Sequence, residues 1–280
     1  MILKAGSRQF AFPRPCLIMG VLNVTPDSFS DGGRFLDPGA AVEQALRMEA
    51  AGAEIIDVGG ESTRPGASPV GLEEEMRRVI PVLEKLAGRL QALVSVDTRK
   101  AEVARAALGA GAGMVNDSGA ATAGEEMASV MAGSGAAYVV MHSRGTPETM
   151  QKNPVYGEVA AEVEEFFHSR MKGLLQAGLK EDQLVLDVGI GFGKTLEHNL
   201  LLLRATQRFA ALGRPLLVGV SRKSFMRTLL GLDLMERLPA ALACTAWSVR
   251  DGAGIVRTHD VPETRAAVRM TEAIMAAGWA

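Results

Sequence analysis

Only two cysteines, Cys16 and Cys244, occur in 280 residues. They cannot build a disulfide framework, and neither stands in a metal-type cluster. Two tryptophans and two tyrosines leave little material for an aromatic stacking platform. Charge of one sign is also missing: 30 Lys+Arg face 32 Asp+Glu, a formal net charge of −2. No global positive field exists to gather nucleic acid, so no nucleic-acid partner is expected. Apolar runs stay far below the ~18 residues of a membrane span, and residues 1–15 lack a signal-type apolar stretch. The expectation is a soluble, cytoplasmic chain with no membrane partner. Hydrophobic residues at 48% and charged residues at 22% are a globular balance that excludes disorder and collagen-like repeats. No Ser/Gly/Pro-rich linker or charge block divides the chain, so a single domain over residues 1–280 is expected.

What the sequence has is an alternation. Short apolar runs rich in β-branched residues occupy 16–22, 54–58, 93–96, 113–115, 136–141, 184–186, 215–220 and 254–256. Bounded by Gly or Pro, such runs read as strands buried on both faces. Amphipathic segments at 40–51, 72–87, 158–176, 197–211, 240–251 and 263–277 read as helices. Pro81 is expected to kink or divide the second of these. Gly52, Gly178, Gly213 and Gly278 stand where C-caps belong. Eight such units in this length point to a single closed (β/α)8 barrel, an α/β fold, with an open doubly wound sheet as runner-up. Residues 1–14 precede the pattern and are expected to form a small hairpin over the barrel bottom.

A barrel carries its chemistry at the carboxyl ends of its strands. After the runs come Asn23, 61–64, Asp97, Asn116, His142, Asp187, 222–224, and Arg257 with His259. Any one of these reads equally well as a helix cap or turn residue. All eight together do not, because Lys223, Arg257 and His259 cannot cap helix N-termini. Carboxylates and amides converging on one mouth suit a donor-rich heterocycle, and clustered cations suit a phosphate. The site therefore asks for a flat heterocycle linked to phosphate.

Two decoys fall away. The stretch Gly189-Ile-Gly191-Phe192-Gly193-Lys194-Thr195 lacks the glycine that a Walker loop needs where Val188 stands. It also lacks the glycine that a dinucleotide fingerprint needs at Lys194. The four histidines form no metal-binding motif, so a protein-caged zinc is not expected. His168 and His198 fall in predicted helices and read as filler. Mg2+ carried by substrate phosphates stays open.

The stretch Asn23-Val-Thr25-Pro26-Asp27-Ser28-Phe29-Ser30-Asp31-Gly32-Gly33 resembles the first loop of the dihydropteroate synthase family. Ile55-Ile-Asp57-Val-Gly59-Gly60-Glu61-Ser62-Thr63-Arg64-Pro65-Gly66 resembles its second. Val96-Asp97-Thr98, Asn116-Asp117, Met141-His142, 189–194, Ser221-Arg222-Lys223-Ser224 and Arg257-Thr258-His259-Asp260 follow in family order. Val188, Ser118 and Ser143-Arg144 depart from it, standing where proline, isoleucine and a Met-Gln pair are usual.

The resemblance implies condensation of 6-hydroxymethyl-dihydropterin diphosphate with p-aminobenzoate to give dihydropteroate and pyrophosphate, with sulfonamides as inhibitors. It implies a pterin site of Asp97, Asn116, Met141, Asp187, Gly219, Lys223 and Arg257. It further implies a diphosphate site of Asn23, Arg64, Arg257 and His259, with Asn23 also a ligand to Mg2+. Phe29, Thr63, Pro65, Phe192, Lys223 and Ser224 are the implied p-aminobenzoate site. Asp97, Lys223, Arg257 and His259 are the implied catalytic groups, and a homodimer is the implied assembly. Two Gly- and Pro-rich loops, 24–39 and 62–71, are expected to close over the site. A corrinoid-linked methyltetrahydrofolate methyltransferase and a pterin-binding module without turnover are the competing readings. The loop motifs argue against the first, and retention of all four diphosphate groups argues against the second.

Overall fold

A computed structural model describes residues 1–13, 15–25, 38–62, 67–119, 124–146 and 148–278. The chain opens with an antiparallel hairpin, β1 (Ile2–Ala5) and β2 (Arg8–Ala11). Then come β3 (Leu17–Asn23), α1 (Pro38–Ala50), β4 (Ile55–Gly59), α2 (Leu72–Leu86), β5 (Leu93–Asp97) and α3 (Ala101–Gly109). β6 (Met114–Asp117), α4 (Glu125–Ser134), β7 (Ala137–Met141), α5 (Val159–Gln176) and β8 (Leu184–Asp187) continue the alternation. It ends with α6 (Leu196–Arg204), α7 (Thr206–Ala210), β9 (Leu216–Val218), α8 (Phe225–Leu230), α9 (Leu238–Arg250), β10 (Ile255–Thr258) and α10 (Val261–Ala276). The strands close a barrel in the order β10-β3-β4-β5-β6-β7-β8-β9, every neighbouring pair parallel. The fold is the (β/α)8 barrel. Among the described residues, no helix is long and apolar enough to cross a membrane.

Side chains alternate along each strand, and this divides the apolar residues into two cores. Outward residues such as Ile18, Ile56, Val96, Val115, Leu186 and Val256 meet the helices. Inward residues Leu17, Met19, Ile55, Leu93, Met114, Val185, Leu217 and Ile255 fill the lower barrel. Leu3, Ala5, Phe10 and Phe12 of the hairpin join that inner cluster, stoppering the end where the strands begin. The barrel interior is thus apolar at that end, and the opposite end carries the polar side chains.

Several boundaries differ from expectation. The helix expected at 197–211 is divided at Ala205 into α6 and α7. By contrast, α2 is one helix with Pro81 inside it. Burial of Val79, Val82, Leu83 and Leu86 on both sides of the proline outweighs one lost backbone bond. Gly52, Gly178 and Gly213 have φ of +100°, +99° and +77°, the conformation of a left-handed cap; Gly278 does not share it. His198 caps α6 from within, its ring accepting from the Thr195 N–H, while His168 is exposed on α5.

Candidate active site

Counting upward in twos from the apolar layer gives the inward residues at the open end. They are Asn23, Asp57, Gly59, Asp97, Asn116, Met141, Asp187, Gly219 and Arg257. Asn23, Gly59, Asp97 and Asn116 are register partners across β3 to β6, so they share one level. Asn23, Asp97, Asn116, Asp187 and Arg257 are strand residues rather than the first residues of loops. The strand geometry therefore fixes their direction.

Arg257 organises the centre. Its Nε donates to Asp57 Oδ2 at 2.6 Å and its terminal nitrogen to Asp97 Oδ2 at 2.8 Å. Asn116 Nδ2 donates to the same Asp57 oxygen at 2.8 Å. Asp57 Oδ1 and Asp97 Oδ1 are buried and have no hydrogen-bond partner among the described residues. Burial pushes the Asp97 carboxyl up to about 7, against the pull of Arg257 and with the added repulsion of Asp57. Burial likewise raises Asp187, opposed by the Gly189 N–H that donates to Asp187 Oδ1 at 2.8 Å and by Lys223. Lys223 stands 4.0 Å over the Phe192 ring. Burial lowers its ammonium to about 8, with Asp187 acting in the opposite direction. Gly219 leaves the flank of Arg257 open: a Cβ there would stand 3.7 Å from the Arg257 Cβ.

The loop after β8 is held by Lys194, which is buried. Its Nζ donates to the carbonyls of Phe192 at 3.0 Å and His142 at 3.2 Å, and lies 3.0 Å from His142 Nδ1. Burial lowers Lys194 to about 7 and His142 to about 3. The ring is neutral, with Nδ1 as acceptor. Gly189 and Gly193 have φ of +66° and +64°, and a Cβ on either would run into the carbonyl of His142 or Arg144. Lys194 is thus a brace between two loops. It is spent on backbone carbonyls, which removes the phosphate-loop reading a second time. Gln151 Nε2 bonds the Gly191 carbonyl at 2.7 Å and Tyr156 the Gly193 carbonyl at 2.9 Å, so the Phe192 wall is fixed from both sides.

On the facing rim, Ser221 Oγ is 3.0 Å from His259 Nδ1 and accepts from the His259 backbone N–H at 3.2 Å, which orients the imidazole. Arg222, at φ +61°, pairs with Asp260 at 2.8 Å. Ser224 is exposed at the start of α8. Behind Asp97, Glu61 accepts from both Arg99 and Lys100, and Lys100 also bonds Glu75. Glu75 in turn accepts from Thr98 at 2.6 Å. This ion network ties the end of β4 to the end of β5.

The profile of the family described as pterin binding enzyme matches residues 19–259. A dihydropteroate synthase of Escherichia coli is 47% identical over 266 residues, 93% of this chain and 92% of that protein. A Yersinia pestis dihydropteroate synthase, solved with a sulfonamide drug, superposes with a TM-score of 0.93 at 41% identity, over 99% of this chain and 100% of that one. The Xanthomonas albilineans enzyme with 4-aminobenzoic acid gives 0.91 at 40%, over 99% and 100%. The chain belongs to the dihydropteroate synthases.

As a dihydropteroate synthase, it can be set against the residues expected for that family. Asp97, Asn116, Met141, Asp187, Gly219, Lys223 and Arg257 converge at the barrel mouth, with Asn23, Phe192, Ser224 and His259 around them. Phe29, Thr63, Arg64 and Pro65 lie outside the described residues, as does most of the 24–39 loop. Arg144, one of the family departures, turns away from the mouth: it pairs with Glu162 at 2.8 Å and lies over the Tyr156 ring. Val188 is buried, and Ser118 places a buried hydroxyl without a partner among the described residues beside the Glu61 network. Asp57 and Lys194 are the residues that sequence reasoning missed as parts of the site. Asp57 lies inside a strand, where a search at strand ends does not look. Lys194 was discarded along with the phosphate-loop motif.

Proposed function

We propose that this chain condenses 6-hydroxymethyl-7,8-dihydropterin diphosphate with p-aminobenzoate, releasing pyrophosphate. The observation that carries the reading is the inward layer of Asp97, Asn116 and Asp187 facing Lys223 and Arg257. It offers acceptors for a donor-rich ring and cations for its oxo group and phosphates. Asp187 accepts from the 2-amino group and N3, Asn116 completes that edge, and Met141 packs on the ring. Lys223 donates to the 4-oxo and N5 side. Arg257, held from behind by Asp57 and Asp97, keeps its planar face for the pterin.

The bond that breaks joins the pterin methylene to the diphosphate oxygen; the bond that forms joins that methylene to the amine nitrogen. Asp97 stabilises the positive charge that spreads into the ring, while Arg257, His259 and Arg64 stabilise the departing diphosphate. The nucleophile is a neutral aromatic amine, whose proton leaves after attack, so no strong base is needed. Phe192, Lys223 and Ser224 form the described part of the p-aminobenzoate site, completed by Phe29, Thr63 and Pro65. Sulfonamides, which mimic p-aminobenzoate, bind there.

Among the described residues no cluster of three or more His, Cys, Asp or Glu could cage a metal. The amide of Asn23, on the level of Asp97 beside Gly59, suits Mg2+ that keeps water and substrate phosphates as its other ligands. Bound there, Mg2+ neutralises charge on the leaving diphosphate. A homodimer is supported by exposed Met270, Ile274 and Met275 on α10, apolar side chains of the kind that mark association. A cytoplasmic setting is supported by two free cysteines. Pyrophosphate release that requires p-aminobenzoate is the expected outcome of a turnover assay. Tight pterin binding with no release would favour the binding module instead.

A further inference from the structure

We infer that Asp57 fixes which way the Asn116 amide faces, and thereby sets the selectivity of the site for a 2-amino over a 2-oxo pteridine. The inference rests on the pterin reading above and assigns a residue to its specificity. Asp57 is 0% exposed and lies one inward step below the level of Asp97 and Asn116. Its Oδ2 receives Arg257 Nε at 2.6 Å and Asn116 Nδ2 at 2.8 Å. A guanidinium can only donate, so this oxygen is an acceptor carrying no proton. The group that Asn116 turns toward it must therefore be the NH2. Rotating the amide by half a turn would set a carbonyl oxygen against a buried carboxylate and forfeit a charge-assisted bond.

The consequence falls on the other end of the amide. With Nδ2 committed to Asp57, Asn116 offers Oδ1 to the ligand edge, and so accepts. Asp187, a carboxylate, also accepts. Asn116 Oδ1 and the Asp187 carboxylate thus both accept at that edge, which matches the 2-amino and N3–H donors of a pterin, while the second Nδ2 hydrogen stays available to a ring nitrogen. A 2-oxo pteridine brings an acceptor to the place where these two oxygens point. Without Asp57, the Asn116 amide can turn and donate to that oxo group. Asp57 touches neither substrate atom in this arrangement; it is a positioning residue acting through Asn116.

The test compares 6-hydroxymethylpterin with its 2-oxo counterpart by calorimetry in wild type, Asp57→Ala and the nearly isosteric Asp57→Asn. Wild type is expected to favour the pterin by at least about 100-fold. Asp57→Ala is expected to narrow that ratio about tenfold or more, with a smaller narrowing in Asp57→Asn, where the acceptor stays and its charge goes. In an Asn116→Ala background the effect of Asp57→Ala on the ratio should vanish. Equal losses for both ligands, leaving the ratio unchanged, would overturn the inference, since a purely structural role predicts that.

A second readout needs no ligand. The Asn116 side-chain NH2 protons of the empty protein should resonate downfield with slowed exchange, and lose both features in Asp57→Asn or Asp57→Ala. If those signals behave as expected while wild type binds neither pteridine, the orientation by Asp57 holds and the pterin reading fails. Ordinary, freely exchanging Asn116 NH2 protons in wild type would overturn the inference itself.

Discussion

Arg257→Met keeps an unbranched apolar stem in place of the arginine's and removes its charge. Asp57 and Asp97, with side chains 0% and 8% exposed, then lose their shared cation. Removing one partner of a buried ion pair costs about 3–5 kcal/mol, but that cost depends on pH. Asp97 already titrates at about 7 because burial outweighs the pull of Arg257, and without Arg257 it titrates higher. A carboxyl whose pKa is higher in the folded chain holds a proton that the unfolded chain releases. Its contribution to stability is therefore lost as pH rises, by about 1.4 kcal/mol per pH unit for one proton. In wild type that loss ends near pH 7; in the variant it continues upward. From pH 7 to 9 the deficit should thus grow by up to about 2.7 kcal/mol. Urea unfolding of both proteins from pH 5.5 to 9 measures it, with the gap small in acid and widest in base. Adding Asp97→Asn to Arg257→Met should remove the part of the pH dependence that Asp97 carries. A deficit that is the same at every pH would refute the account of two carboxylates clamped on one guanidinium.

Asp187→Asn should weaken pterin binding by about 2–4 kcal/mol in calorimetry while leaving the melting temperature nearly unchanged, because the amide oxygen still accepts from the Gly189 N–H; unaltered affinity would remove Asp187 from the pterin site. Asp187→Ala should lose that backbone bond as well, about 1 kcal/mol of stability. Arg257→Lys keeps the charge but cannot reach both Asp57 and Asp97 with a planar fork, so turnover should not recover beyond a small fraction; full activity would show that charge alone suffices. His142, lowered to about 3 by burial, refuses a proton that the unfolded chain accepts from about pH 6.5 downward. Stability from this group is therefore complete above 6.5 and lost toward pH 3, and His142→Gln should flatten that acid limb in urea titrations.

The barrel was legible because its strands are apolar on both faces and its helices are not, a contrast that survives any detail of register. Two of the helices that periodicity misses have different causes. In α3, burial falls on Ala101, Val103, Ala104 and Ala107, small side chains that a search for large apolar residues does not register; α8 has only six residues. The site was legible where strand ends carry polar residues. It was illegible at Asp57, flanked by Ile56 and Val58 and buried inside the barrel. The period of two holds the missing signal: Ile55 belongs to the inner apolar layer, so the next inward residue is Asp57 and the one after it Gly59. The same count from Leu93 reaches Ser95 and Asp97, and from Ile255 reaches Arg257. Once the lower layer is known, the upper layer follows.

That layering also explains why a barrel tolerates so many buried charges at one end. Buried ion pairs rarely add net stability over apolar packing of the same volume, so Asp57, Asp97, Asp187 and Lys194, with the half-buried Lys223 and Arg257, are not what keeps the chain folded. The outer core between strands and helices, with the inner apolar layer and the hairpin that stoppers it, carries that task elsewhere. Released from it, the open end can hold carboxylates whose charges are only partly matched. Asp57 and Asp97 share the one Arg257 guanidinium, and Asp57 Oδ2 takes Asn116 as well. A ligand rich in N–H donors meets Asn116 and Asp187 above that pair, acceptors that the charges beneath help to hold in place. The partly matched charges thus serve a ring with donors along its edge by orienting the groups that meet it, not by touching it.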